Sequence, residues 1–282
     1  MKTKFTKNVF LNTNDFSVTG EDFQLLVNEE LDMLITYPQP KDLDRYYESE
    51  NYISHTDSRK GLINILYQKI KKYNLQRKVK LIDSLALGNK ALLDVGAGTG
   101  DFLLVAREKG WAIDGVEPST TANKKASDKG INLFSNLQSL PPKKYQIITL
   151  WHVLEHLPNL DKQIEELSSL LEDSGTLIIA VPNFKSFDAK YYKGFWAAFD
   201  VPRHLWHFSR TSVKKLFFEH NLNVVQTRPM VFDAFYVSLL SEKYKRGKQN
   251  FIKPTLVGLW SNILAWRSKE YSSIIYVLQK HK

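Results

Sequence analysis

The sequence has no cysteine among its 282 residues. This absence excludes a disulfide framework, a thiolate zinc site and a cysteine nucleophile. The sequence also has no uninterrupted run of the roughly 18 apolar residues that a membrane-spanning helix needs. Its first residues, MKTKFTKNVF, lack the apolar core of a signal peptide, so we expect a cytoplasmic protein.

Acidic residues are the minority charge, and the formal net charge is +9. Much of the excess lies between Arg59 and Lys80 (including Lys78), where apolar residues recur at helical spacing. We interpret these cations as the solvated face of a helix, with attraction to phosphates or an anionic membrane as the minor alternative. The sequence shows no base-handling motif, so we predict no nucleic-acid partner.

Strands and helices alternate from Lys90 onwards. The runs KALLDV, WAIDGV, INLF, YQIITL and GTLIIAVP are predicted strands, and the segments between most of them have helical patterns. This rhythm indicates an α/β fold with a parallel sheet covered on both faces. The runs NLNVVQTRPM and YSSIIYVLQK predict a closing antiparallel pair, separated by a helical insert at about residues 231–270.

The sequence is predicted to have three parts. Residues 1–55 carry short alternating runs and are expected to form a small β appendage. Residues 56–89 are expected to form a helical connector, and residues 90–282 form the main domain, including the insert.

A glycine-rich loop, Gly96-Ala97-Gly98-Thr99-Gly100, follows the first predicted strand of the main domain. Ligands bind at this end of a doubly wound sheet, and glycines allow them to approach the main chain. A dinucleotide site favours G-x-G-x-x-G, whereas this loop is G-x-G-x-G and is flanked by Asp94 and Asp101. Two carboxylates suit an ammonium or sulfonium ligand, which favours S-adenosylmethionine over NAD. Glu117, at the end of the next strand, is placed to accept hydrogen bonds from ribose hydroxyls.

This loop, acid and closing strand pair resemble class I S-adenosylmethionine-dependent methyltransferases. The resemblance covers the chain from Lys90 to the end and implies a Rossmann-like, doubly wound, seven-stranded sheet with an antiparallel C-terminal hairpin. A bacterial branch related to the ubiquinone-biosynthesis O-methyltransferases has segments similar to WHVLEHLPN, VPNFKSFDAKYY and WAAFDVPRHLWHFS.

The resemblance also implies which residues hold the cofactor. The loop residues would surround its methionine part, Glu117 would hold its ribose, and the segment around Leu137 would lie by the adenine. Trp151 and His152 would line the cofactor and face the acceptor. The implied cofactor residues are thus Asp94, Gly96, Gly98, Gly100, Glu117, Leu137, Trp151 and His152.

The candidate catalytic residues are Arg203, His204 and His207, in a loop after the fifth strand. His204 is the first choice for a general base or acceptor-orienting residue, and Arg203 could hold an anionic group of the acceptor. The equal alternative is that the loop packs between sheet and insert, with its histidines hydrogen-bonded to the main chain.

A second cluster contains His152, Glu155 and His156. The two histidines are four residues apart and could share one face with the glutamate, an arrangement able to bind a divalent metal. The ubiquinone-type enzymes are similar here, with acidic residues and a histidine around the same LEH, but His152 stands where they have a carboxylate. We therefore predict no metal, with Glu155 and His156 fixing the loop by internal hydrogen bonds.

The N-terminal appendage resembles a degenerate zinc ribbon. Relatives of this branch often begin with two C-x-x-C pairs, and this chain retains the following segment, ITYPQP, while Asn28 and Leu31 occupy the positions of one pair. Neither residue can replace a thiolate, so we predict no zinc. The appendage is then either held by packing against the main domain or poorly ordered.

The segment YYESENYISHTDS (46–58) resembles one that reaches toward the cofactor in such enzymes. The alternative is an ordinary connector.

These observations predict S-adenosylmethionine-dependent O-methylation of a small-molecule, saccharide or lipid-linked acceptor. The alternative is an inactive cofactor- or partner-binding module on the same fold, and a nicotinamide-dependent oxidoreductase is a further rival.

The aromatic run at residues 191–199 predicts a lid or pocket wall, and burial against the domain is the default expectation for so many aromatic side chains. The apolar helix TLVGLWSNILAW is expected to pack over the active site, with membrane contact as the minor alternative because only Lys253 and Arg267 flank it.

Overall fold

The computed structural model describes residues 8–46, 62–248 and 250–281. The predicted segment 46–58 falls almost entirely outside these ranges, as do Arg59 and Lys60. None of the helices in the described part of the chain has the length and apolar character needed to span a bilayer.

Ten strands and eight α-helices make up the described residues. The strands are β1 (Val9–Asn14), β2 (Asp22–Asn28), β3 (Met33–Tyr37), β4 (Ala91–Val95), β5 (Ala112–Val116), β6 (Tyr145–Trp151), β7 (Leu171–Pro182), β8 (Trp206–His207), β9 (Leu222–Pro229) and β10 (Ser273–Lys280). The helices are α1 (Leu62–Leu85), α2 (Asp101–Glu108), α3 (Thr120–Ser127), α4 (Leu160–Leu170), α5 (Phe187–Tyr192), α6 (Arg210–Phe218), α7 (Asp233–Arg246) and α8 (Ile252–Ser268).

The main sheet has six strands in the order β5-β4-β6-β7-β10-β9. The first four are parallel, and β10 is antiparallel to both of its neighbours, β7 and β9. The predicted α/β sheet and its closing antiparallel pair are therefore confirmed, with helices α7 and α8 lying between β9 and β10.

The predicted count of seven strands is wrong by one in the described residues. The run INLF contributes only an isolated parallel bridge between Phe134 and Val116. Phe134 donates its N–H to Gly115 O and accepts from Glu117 N, but pairing stops there. The chain turns at once into a 3-10 turn, where Asn136 Oδ1 accepts from Ser139 N at 3.0 Å.

Alternation of side chains along the strands divides the core between the two faces of the sheet. Leu92, Ile147 and Ile178 pack on one face with Ile82 of α1 and Phe102 of α2. Their neighbours along the strands, including Leu93, Ile148 and Leu177, pack on the other face with α4 and α6. Burial of each such side chain stabilises the fold by about 1.5–3 kcal/mol.

The N-terminal strands form a second sheet in the order β1-β2-β3-β8. His207, a candidate catalytic residue, lies in β8 and therefore pairs with β3 of the appendage. A zinc ribbon is not present in residues 8–46. Asn28, at a position where relatives of this branch have a cysteine, accepts a hydrogen bond from Leu31 N at 2.9 Å and so closes its turn. Of the two alternatives for the appendage, packing against the main domain is the correct one for these residues. The exact domain boundaries stay predictions.

Candidate active site

The glycine loop lies between the end of β4 and the start of α2. Gly96, Gly98 and Gly100 all have positive φ, at 71°, 54° and 72°. A Cβ at position 96 would lie 2.3 Å from Val153 Cγ2, whereas a Cβ at position 98 would meet nothing within 4 Å. Gly96 is therefore required by packing against the chain, and Gly98 faces open space where a ligand can approach.

Two carboxylates flank this open space. Glu117 accepts hydrogen bonds from Gly98 N at 2.8 Å and from Ser119 N at 3.0 Å, so it lies directly against the loop. Asp94 is buried and accepts from Thr149 Oγ1 at 2.6 Å. Burial raises the pKa of Asp94 to about 7, although the Thr149 hydrogen bond and the Lys78 charge oppose the shift.

Lys78 of α1 is a site residue that the sequence did not reveal. Its Nζ lies 4.3 Å from the centroid of the Trp151 ring, and Asp94 and Asp233 are the charges that act on it. Burial lowers the pKa of Lys78 to about 8, and the two carboxylates offset part of that shift. The prediction of a solvated helix face is thus wrong for this residue.

The loop and its surroundings fit S-adenosylmethionine. The open face of Gly98, bordered by Asp94 and Glu117, suits a cationic ligand. Trp151 Nε1 is a buried donor without a hydrogen-bond partner among the described residues, so the site retains an unused polar group. Leu137 is half-buried and begins a 3-10 turn three residues after Phe134, which pairs beside Glu117.

His152 connects the end of β6 to the helical insert. Its backbone has φ +57° and is held by a hydrogen bond from its N–H to Ala180 O at 2.9 Å. Its Nε2 lies 3.0 Å from Asp233 Oδ2, and its Nδ1 lies 3.5 Å from Glu155 Oε1. Burial lowers the pKa of His152, but the two carboxylates outweigh that effect and raise it to about 10. His152 is therefore an imidazolium between two carboxylates.

Glu155 is a buried carboxylate without a hydrogen-bond partner in the described part of the chain. Burial would raise the pKa of Glu155, but its interaction with His152 outweighs burial and lowers the pKa overall. The expectation that internal hydrogen bonds fix Glu155 and His156 holds for His156, whose Nδ1 lies 3.0 Å from Arg203 O. It does not hold for the Glu155 side chain, which His152 approaches at 3.5 Å as a charge.

His156 and His204 face each other beside Glu155, with ring centroids 4.5 Å apart. Their Nδ1 atoms lie 3.0 Å from Arg203 O and 2.9 Å from Ala198 O. Because a carbonyl oxygen only accepts, each Nδ1 carries a proton, and each Nε2 bears the lone pair in the neutral ring. Burial lowers the pKa of His156 to about 4.

A divalent cation could be held by Glu155, His156 and His204. Each offers one ligand atom, and these atoms lie within 4.8 Å of one another. His152 does not join this set, because both of its ring nitrogens face carboxylates.

Arg203 holds the appendage to the main domain. Its side chain is 1% exposed and bonds to Asp15 Oδ1 at 2.8 Å, Asp200 Oδ1 at 2.7 Å and Tyr46 O at 2.9 Å. The suggested contact of Arg203 with an anionic acceptor is not supported, because its guanidinium donors are used inside the protein.

His207 is likewise part of the packing between loop and appendage. The Thr36 hydroxyl donates to His204 O at 2.6 Å, so His207 Nε2 donates to Thr36 Oγ1 at 2.9 Å. Burial holds the pKa of His207 well below its usual value. A catalytic role for this residue is not supported. At positions 203 and 207 the loop packs as the alternative expected, but against the appendage, and the histidine bonded to the main chain is His204.

A cavity of about 660 Å³ opens next to the two histidines. The cavity lies between the loop, the appendage and α7. Its lining includes His152, His156, Asp200, His204, Asp233, Tyr236, Leu240, Tyr244 and Phe16. In the segment 191–199, which was predicted to form a lid or pocket wall, residues 197 and 198 line the cavity. Tyr192, Trp196 and Phe199 are buried, which was the default expectation for these aromatic side chains.

The helix predicted to pack over the active site contributes nothing to this lining in the described residues, because α8 packs outside α7 and α5. Sequence reasoning also missed Phe16, Asp233 and Tyr244. The one available signal was Asp233, a lone acid before the apolar start of the insert.

The segment 151–156 joins the cavity to the glycine loop. Val153 contacts the loop at Gly96, while His152 and His156 line the cavity. A ligand above the loop and an acceptor in the cavity would therefore meet at this segment.

Residues 67–227 match the family model described as a methyltransferase domain. This match covers more than half of the chain and includes the glycine loop, Glu117 and His204. The chain belongs to the methyltransferase domain family.

Curated relatives of this methyltransferase domain are distant. An uncharacterized methyltransferase of Geobacillus thermodenitrificans is 28% identical over 108 residues, 36% of this chain and 50% of the relative. A ubiquinone biosynthesis O-methyltransferase of Coxiella burnetii is 26% identical over 125 residues, 41% of this chain and 53% of the relative. The chain thus spans about half the length of the curated relatives it matches.

Solved structures share the fold of this methyltransferase domain. Magnesium protoporphyrin IX methyltransferase from Synechocystis, crystallised with bound S-adenosylhomocysteine, has a TM-score of 0.56 and 15% identity, covering 86% of this chain and all of its own. A methyltransferase from Archaeoglobus fulgidus has a TM-score of 0.51 and 17% identity, covering 78% of this chain and all of its own. S-adenosylmethionine is the cofactor that the family uses.

Proposed function

We propose that this chain transfers a methyl group from S-adenosylmethionine to an oxygen of a small-molecule, saccharide or lipid-linked acceptor bound in the 660 Å³ cavity. The observation that carries the proposal is the position of His204. It lies in the cavity wall, at the side that segment 151–156 connects to the glycine loop. We place this reaction in the cytoplasm, as the sequence predicts.

The chain's own residues supply binding, orientation and proton removal. The cofactor would lie against the open face of Gly98, with Glu117 at its ribose and Asp94 by its methionine part. When bound, S-adenosylmethionine supplies a methyl group that is already activated, so alignment with the acceptor provides much of the acceleration.

His204 is the proposed general base. Its Nδ1–H is fixed to Ala198 O at 2.9 Å, which leaves the lone pair of Nε2 for the acceptor hydroxyl. Glu155 Oε1 and Asp200 Oδ2 each lie 4.0 Å from Nε2, so they stabilise the imidazolium that forms. His156 supports the geometry by packing edge-on against the His204 ring.

The cavity wall favours an acceptor with both polar and flat apolar parts. Tyr236, Tyr244 and Phe16 offer aromatic surfaces, while Asp200 adds a negative charge and the imidazolium of His152 a positive charge to the wall. Arg203 and His207 are proposed to position this loop and not to touch the acceptor.

The test is formation of S-adenosylhomocysteine from S-adenosylmethionine over a panel of phenolic, saccharide and polyprenyl-linked hydroxyl acceptors. We expect turnover with at least one class, and His204→Ala should lower kcat by about 10²–10⁴-fold. His220→Ala is the matched control, since this histidine pairs with Asp161 at 3.3 Å outside the cavity and should leave kcat unchanged. Cofactor binding without turnover on the whole panel would favour the inactive binding module.

A further inference from the structure

Helix α8 turns its large apolar side chains toward solvent. The exposed set recurs at helical spacing along one side, and its members are between 48% and 77% exposed. We call this set the apolar face of α8, and it consists of Ile252, Leu256, Leu259, Trp260, Ile263 and Trp266.

The opposite side of α8 is made of small residues and is already used. Gly258, Ser261 and Ala265 are buried there, and a Cβ at Gly258 would lie 2.9 Å from Ala234 O of α7. Together with Pro254 and Val257, these residues dock the helix to the protein, while its leucine, isoleucine and tryptophan side chains lie in water. A contiguous apolar patch of this kind marks an interaction surface.

Positively charged residues flank the apolar face in the sequence. The sequence from Lys243 to Lys269 contains seven lysines and arginines and no aspartate or glutamate. The two acids that border this stretch are paired with cations. Glu242 is buried and pairs with Arg246 and Lys253, and Glu270 lies 3.7 Å from Arg210. The fold adds the basic end of α7 to the charges that flank α8 in the sequence. The remaining exposed cations at the two ends of the face are Lys245, Lys248, Arg267 and Lys269.

We propose that the apolar face of α8 docks on the surface of an anionic phospholipid bilayer. The helix would lie parallel to the surface, with its apolar side chains at the boundary of headgroups and acyl chains. The flanking cations would then meet lipid phosphates, and this charge complementarity favours a bilayer over a neutral protein surface. Trp260 and Trp266 are residue types that prefer this boundary.

Docking would bring the cavity close to the lipid. Leu240, Lys243 and Gly247 of the α7 end line the cavity, and Lys245 and Lys248 of the same end flank the apolar face. A lipid-linked acceptor would therefore reach the cavity from the bilayer. This consequence rests on the proposed function, whereas the docking itself does not.

Vesicle flotation of the full chain tests the docking. The probes are vesicles of phosphatidylglycerol mixed with phosphatidylcholine, and vesicles of phosphatidylcholine alone. We expect flotation with the anionic vesicles and little with the neutral ones. The triple variant Leu256→Ser, Trp260→Ser, Ile263→Ser should stay unbound, and Lys245→Glu with Lys248→Glu should weaken binding on the order of tenfold or more.

The matched control is Phe218→Ser with Val225→Ser, which removes apolar side chains that are 61% and 54% exposed outside the face. It should float as the wild type does. Binding of S-adenosylhomocysteine by the triple variant, measured separately, shows that it is folded and keeps the test independent of the methyl transfer.

Three results would overturn the docking. The first is absence of flotation with either vesicle type, and the second is flotation that the triple variant retains. The third is a wild-type dimer in light scattering that becomes a monomer in the triple variant without any vesicle binding, since the face would then belong to a second copy of the chain.

Discussion

His152 Nε2 lies 3.0 Å from Asp233 Oδ2, which ties the end of β6 to the first residue of α7. This contact keeps His152 charged and fixes one wall of the cavity. Because α7 follows β9, it joins segments about eighty residues apart in sequence into one site.

We predict that His152 stays protonated until about pH 10, and that Asp233→Asn lowers the pH at which it titrates. The folded-state pKa is above the usual value of 6.5, so its stabilising contribution is complete below pH 6.5 and is lost as pH rises through about 10. NMR titration of the imidazole signals measures this directly. Asp161→Asn is the control, and it should not move the His152 signal. A His152 titration near neutral pH in the wild type would contradict the ion pair.

Alanine at two glycines should separate packing from ligand binding. Gly96→Ala places a Cβ 2.3 Å from Val153 Cγ2 and should strongly destabilise the fold. The Cβ of Gly98→Ala would meet no atom within 4 Å. This variant should therefore lower the free energy of unfolding by only about 1–2 kcal/mol, the cost of a positive φ at a residue with a side chain, while its methyl group obstructs the ligand.

Urea unfolding and titration with S-adenosylhomocysteine, run on both glycine variants, test this separation. We expect Gly98→Ala to weaken binding by about tenfold or more, which corresponds to at least 1.4 kcal/mol. Unchanged affinity in Gly98→Ala would show that the ligand does not lie over this loop.

Removal of Arg203 should destabilise the protein. Its side chain and that of Asp15 are almost fully buried, so Arg203→Met leaves a buried carboxylate without its cation. The expected loss in the free energy of unfolding is about 3–5 kcal/mol. Lys162→Ala, at an exposed pair with Glu166 3.7 Å away, is the control and should change it by less than about 1 kcal/mol. A loss in Arg203→Met as small as in the control would refute the structural role.

Metal removal should leave activity unchanged. Glu155 is already neutralised by the imidazolium of His152, so the set of Glu155, His156 and His204 needs no resident cation for charge balance. We expect dialysis against a chelator to preserve both turnover and the unfolding temperature. Stoichiometric zinc, manganese or magnesium in the purified protein, together with activity restored only by that metal, would contradict this prediction.

The features that the sequence predicted correctly are those that depend on short-range patterns. The glycine loop and Glu117 belong to one strand-loop-helix-strand unit, so spacing alone predicted their positions in the fold. The alternation of strands and helices similarly predicted the parallel sheet and its antiparallel edge.

The features that the sequence missed depend on long-range contacts. Lys78 looked like one more cation on a helix, and only the position of α1 turns it toward Asp94. Arg203 and His207 have residue types suited to catalysis, but β1–β3 cover them and use their donors. The missing strand at Phe134 reflects local turn chemistry that outweighed a short apolar run.

Isothermal titration of the purified chain with S-adenosylmethionine, S-adenosylhomocysteine and NADH tests the central claim most directly. The account predicts micromolar binding of both sulfur nucleosides, weakened in Glu117→Ala and absent for NADH. No binding of the sulfur nucleosides, or a preference for NADH, would contradict it.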